Sequence, residues 1–177
     1  MSGEDCWILG VTKEQWKKTP PGTVSTGWPL MGDLSRFRGD PEAEAHNRRA
    51  LVQQFGLVYP EELKAMEHPS LVVIDPHGLW SFSCKAKPGD LMLVHVQKGE
   101  AREAVAIVRI TGPYRFISAS PWPHVLPVIC LSRDSWEIPP RYWGRGDYLC
   151  TGQGAQDLVA MIRERIRLRL AGTGEPC

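Results

Sequence analysis

Three runs in the second half of the chain constrain the fold most: "LMLVHV" (Leu91–Val96), "AVAIVRI" (Ala104–Ile110) and "VLPVICL" (Val125–Leu131). Each is rich in strand-forming residues, and Gly, Pro and charged turns separate them, so they read as neighbouring β-strands. Two earlier runs join them: "CWILGV" (Cys6–Val11), and "TVST" around Val24, which follows the breaker "TPPG". Helical signals lie between and after the strands. Pro41 opens "PEAEAHNRRALVQQFG", with acids in the first turn and Gly56 as the expected stop, and "PEELKAMEH" (Pro60–His68) repeats the pattern in shorter form. In the last segment, Leu158, Ile162, Ile166 and Leu170 recur every four residues and mark one helical stripe. "LVVI" before Asp75 reads as a strand, whereas "GLWSFSCKA" fits a helical turn or a strand. The order predicts an α+β domain built on a small, mostly antiparallel barrel flanked by helices.

A chain of 177 residues is expected to form one domain over 1–177, with its core within 6–170 and a flexible tail at 171–177. Hydrophobic residues at 42% and charged residues at 23% fit a globular protein. A net charge of +1 supplies no global basic field, so a nucleic-acid partner would need a local patch or pocket. The acidic N-terminus lacks the basic n-region of a signal peptide, and no apolar run approaches membrane-spanning length; a cytoplasmic location is expected, with no membrane partner.

No GxSxG elbow, HExxH helix or GxxxxGK[ST] loop is present. "TGQG" ahead of the last helix reads as a turn and cap. Cys6, Cys84, Cys130, Cys150 and Cys177 show no metal-ligand spacing and read as reduced, mostly buried thiols. His46 and His68 read as solvated helix residues, and neither His95 nor His124 earns a role. No enzyme activity, catalytic residue, metal or cofactor is expected.

Seven Trp residues are the compositional peculiarity. Trp7, Trp16 and Trp80 follow apolar periodicity and are expected in the core, while Trp136 and Trp143 fit either core or surface. The stretch "GTVSTGWPLMGDLSRF" places Trp28 at the lip of a strand, where the backbone breaks. "SASPWPHV" holds Trp122 between two prolines in a loop.

These pieces resemble a known group. "WILGVTKEQW" is similar to the opening strand and turn of EVE and YTH domains, and "VSTGWPLMGDLSRF" resembles their second strand ending in a Trp. It is closer still to the Mrr-type restriction-system N-terminal domains. "PGDLMLVHV", "AVAIVRITGPYRFISASPWPHVLPV" and "TGQGAQDLVAMI" are similar to the later strands, loop and helix entry. Two departures stand out: "GVTKE" replaces the Lys-Ser-Glu-type turn of EVE domains, and the insert from Phe55 to Lys87 is longer than their compact form.

The resemblance implies a PUA-like barrel that takes a single flipped base into a pocket, in many members a methylated one. A Trp face returns about 1–3 kcal/mol per stacked base, which offsets part of the cost of extrusion. On this reading Trp28 and Trp122 form an aromatic cage. Thr12, Lys13, Ser25, Thr26 and Asp33 are candidates to read the base edge, with a turn or helix cap as the competing role for Asp33. Arg36, Arg38 and Arg115 are candidates for phosphate contacts, and Lys98 and Arg102 flank an expected hairpin turn. The arginines of the last helix spread around it and read as solvated. The implied function is a modified-base reader of DNA, the sensor of a restriction or defence system whose nuclease or GTPase lies on a separate chain or region. The alternatives are an RNA reader of the same fold and a protein- or small-ligand-binding domain that uses exposed Trp residues.

Overall fold

A computed structural model describes residues 5–39, 42–65, 76–98, 101–140 and 153–171. The strand readings fall where the apolar runs put them: β1 is Cys6–Val11, β2 Thr23–Thr26, β3 Leu91–Lys98 and β4 Ala101–Ile110. The short β5, Arg115–Phe116, precedes β6, His124–Ser132, and β7 is Trp136–Glu137. Among the described residues there are five α-helices: α1 (Lys13–Lys18), α2 (Glu44–Val58), α3 (Pro60–Ala65), α4 (Pro76–Trp80) and α5 (Gln153–Ala171). The α+β class stands. The expected strand at "LVVI", the tail beyond 171, and Trp143 lie outside the described residues.

The strands make one curled sheet, a half-barrel in the order β1-β3-β4-β6-β2, with β5 beside β6 and β7 beside β4. Among the described residues only the β1–β3 pair is parallel, Cys6 facing Leu91 through Val11 facing Val96; the other pairs are antiparallel. Parallel neighbours require a long crossover, and everything from α1 to Asp90 serves as one. Asp90, 1% exposed, clasps the two strand starts together. Its Oδ2 accepts from Trp7 Nε1 at 2.8 Å and from the Lys87 amide at 3.1 Å, while its Oδ1 accepts from the Asp5 amide at 3.2 Å. A buried carboxylate is tolerated because these donors replace its water.

Both faces of the sheet are covered. On one, Leu9, Val94 and Val108 pack with Leu51 and Phe55 of α2 and with Leu79 and Trp80 of α4. On the other, Leu91, Leu93 and Ile107 pack against Leu158 and Ile162 of α5. Trp7 and Trp80 are in the core and Trp16 packs against it, as their periodicity predicts.

Three readings need correction and one open alternative is settled. Helix α2 begins at Glu44, after a turn at 42–43, and passes through Gly56 to Val58. The stop is Tyr59, pushed out of helical geometry (φ −133°) as a residue before proline is. The ambiguous "GLWSFSCKA" is helical: α4 widens into a π-helical turn at Ser81–Lys85. The α5 stripe fades after Ile166, since Leu170 is 82% exposed. The α5 arginines are more engaged than solvation implies: Arg165 lies 4.5 Å from the Trp136 ring centre, Arg167 pairs with Glu164, and Arg169 reaches Asp134 at 2.9 Å.

Candidate functional site

The half-barrel leaves β1 and β2 as its two edges, and a cleft of about 430 Å³ opens where their C-terminal ends approach each other. Gly10, Val11, Thr12 and Lys13 line it from the β1–α1 side; Thr26, Gly27 and Trp28 line it from the β2 side. Gln97 of β3 and Trp122 complete the wall. The cleft thus brings together Trp28, Trp122, Thr12, Lys13 and Thr26, five of the seven residues expected to meet a base. The two Trp residues come from loops about a hundred residues apart in sequence, and a Cβ built on Gly27 would sit 3.9 Å from Trp122 Cδ1.

Gln15 joins the two edges where no backbone ladder does. Its side chain is buried, lines the cleft, and donates to the Ser25 carbonyl. Thr12 caps α1, accepting from the Gln15 amide at 3.0 Å, so its hydroxyl hydrogen remains to donate. Among the described residues no carboxylate lines the cleft, and the charge of Lys13 acts at longer range on Glu103.

Trp28 has the most unusual non-glycine backbone among the described residues. Its φ of 73° and ψ of 53° are left-handed, and among the described residues it is the only non-glycine with positive φ. Such a conformation costs a bulky residue on the order of 1–3 kcal/mol and persists only where surroundings enforce it. The surroundings are specific. The Trp28 carbonyl lies 3.1 Å from His124 Nε2, and the Leu30 amide donates to Tyr59 Oη at 2.8 Å. The indole meets Phe55 and Tyr59 edge-on, with ring centres 4.7 and 4.8 Å away. The Trp122 amide donates a hydrogen bond to Ser120 Oγ at 3.1 Å, which steadies the loop.

The remaining expectations fall elsewhere. Ser25 is buried, its hydroxyl 2.9 Å from Thr19 Oγ1, and belongs to the support of the cleft, not its lining. Asp33 is exposed and accepts from the Ser35 amide at 2.9 Å, a bond that holds its carboxyl below the usual range; it is a turn cap and does not line the cleft. None of Arg36, Arg38 and Arg115 lines it either. Arg36 donates to Gln54 of α2 and stacks on Phe37, with 4.8 Å to the ring centre. Arg38 lies 6.0 Å from the Tyr114 ring centre, beside a separate cavity lined by Trp80 and Cys84. Arg115 is an exposed residue of β5. Near Arg38, burial raises the Cys84 thiol to about 12, so this cysteine is chemically quiet.

Sequence reasoning missed Gln15, Gln97, His124, Tyr59 and Tyr114. Only Gln15 carried a local signal, its place on the first turn of α1; the others reach the site through long-range packing. No helix of the described residues is long and apolar enough to cross a membrane. No family model, curated protein or solved structure matches this chain.

Proposed function

We propose that the chain is a PUA-like reader that takes one flipped base, a modified base in DNA, between Trp28 and Trp122. The supporting observation is the convergence of two Trp side chains from distant loops on one concave cleft of about 430 Å³, a size suited to a small planar ligand. A concave slot favours an inserted ring over the flatter contact of a protein hot spot. The hydroxyl of Thr12, the amide oxygen of Gln15 and the ammonium of Lys13 supply mixed donors and acceptors for a base edge. A methyl group on the base adds roughly 0.8 kcal/mol when buried. Lys13 replaces Arg36, Arg38 and Arg115 as the cation nearest the entering strand. In this reading the chain senses and a nuclease or GTPase on another chain or region acts.

Fluorescence polarisation tests the proposal with matched DNA and RNA oligonucleotides carrying unmodified, N6-methyladenine, 5-methylcytosine or 5-hydroxymethylcytosine bases. One modified DNA should bind selectively, with affinity lowered about tenfold or more in Trp28→Ala and Trp122→Ala, the loss of one stacked ring. Tight binding of the RNA series instead would transfer the site to an RNA ligand. Failure of every oligonucleotide to bind at moderate salt, with the fold intact by circular dichroism, would sink the reader.

A further inference from the structure

The left-handed backbone of Trp28 needs a cause, and the nearest one is a pair of buried side chains. His124, with no exposed surface, lies between Tyr114 and Trp28: its Nδ1 is 2.7 Å from Tyr114 Oη and its Nε2 is 3.1 Å from the Trp28 carbonyl. A carbonyl can only accept, so Nε2 carries the hydrogen. In the neutral ring Nδ1 then accepts, and the Tyr114 hydroxyl must donate to it. Tyr114 Oη in turn accepts from the Leu34 amide at 3.3 Å. The donors run in one direction, from the Leu34 amide through Tyr114 and His124 to the Trp28 carbonyl, and every buried polar atom along it is paired. The chain of bonds spans the Pro29–Met31 turn, fixing its backbone at Trp28 and at Leu34. Stacking of the Tyr114 and His124 rings, 5.9 Å apart at 22°, and contact of His124 with Phe116 leave the imidazole little freedom.

We infer that Tyr114 and His124 are positioning residues that hold Trp28 in its left-handed conformation and thereby set its indole as a wall of the cleft. Neither lines the cleft. Their role is to hold the carbonyl in place while Phe55 and Tyr59 brace the ring. The consequence for binding rests on the base-reader proposal; the consequence for Trp28 itself does not.

The test uses the full chain labelled with 15N, with the Trp28 indole signal assigned by its loss in Trp28→Phe. In the wild type, long-range 1H–15N spectra should show His124 as the neutral ring protonated on Nε2. His124→Phe removes the donor to the carbonyl, so the Trp28 indole and amide signals should shift or broaden. His124→Gln restores an N–H at a similar reach and should return them towards the wild-type positions. Affinity for the N6-methyladenine and 5-methylcytosine DNA oligonucleotides should fall about tenfold in His124→Phe, as for loss of one stacking wall, and recover in His124→Gln. Tyr114→Phe, which leaves the His124 tautomer unpaired at Nδ1, should give an intermediate change. An Nδ1-protonated His124, or a folded His124→Phe with Trp28 signals unchanged, would overturn the inference. Should no oligonucleotide bind the wild type, the reader proposal fails and the Trp28 signals still decide the positioning role.

Discussion

Acidification from pH 6.5 to pH 4 is expected to remove about 6 kcal/mol of folding stability through two buried histidines. His95 and His124 are 2% and 0% exposed, and burial pushes both from 6.5 down to about 4. The charge of Arg102 adds to the effect at His95; the Trp28 carbonyl and Asp33 oppose it at His124. The unfolded chain binds a proton at each ring near pH 6.5, whereas the folded chain resists until about pH 4. Between those values the unfolded state holds more protons, so stability rises with pH. The stabilisation is complete above 6.5 and is lost as pH falls, about 3 kcal/mol for each ring. Urea unfolding followed at several pH values measures the slope directly: two protons taken up on unfolding give about 2.7 kcal/mol per pH unit near pH 5. A midpoint that stays level from pH 6.5 to 5 would mean that one or both rings are solvated in the folded state.

Phe55→Ala should cost about 3–5 kcal/mol, the range for emptying a fully buried aromatic site. Phe55 is 0% exposed, and its ring touches both Trp28 and Tyr59, the latter with centres 5.2 Å apart. The expected consequence is double: a lower urea midpoint at unchanged m-value, and a Trp28 ring that has lost one of its two braces. A loss under about 1 kcal/mol would show that α2 does not pack on the half-barrel as described.

The strands were legible because their runs are short, rich in β-branched residues and bounded by Gly and Pro, signals that act within a few residues. The pairing of β1 with β3 was not, since the contact that fixes it joins Trp7 to Asp90 across the whole crossover. The helix end at Gly56 was misread because a glycine weakens a helix without ending it, and Pro60 four residues later is the stronger stop. At the site, Trp28 and Trp122 could be chosen from their Gly and Pro neighbours. Arg36 and Arg38 are near Trp28 in sequence only: the 3-10 turns at Pro29–Met31 and Ser35–Phe37 carry them away from the cleft towards α2 and Tyr114. The Trp28 carbonyl meets His124, 96 residues away, a contact that no local pattern encodes.

In the proposed reader two tryptophans grip one base, which a double-mutant cycle on binding can test. Trp28→Gly removes the ring while permitting the left-handed backbone; Trp122→Ala removes the other wall. Both, singly and together, would be titrated with the modified-base DNA oligonucleotide that binds the wild type most tightly. Rings that stack on the same base are coupled, so the double variant should depart from additivity by about 1 kcal/mol. Additive losses within about 0.3 kcal/mol, or an affinity indifferent to either ring, would contradict a shared base between Trp28 and Trp122.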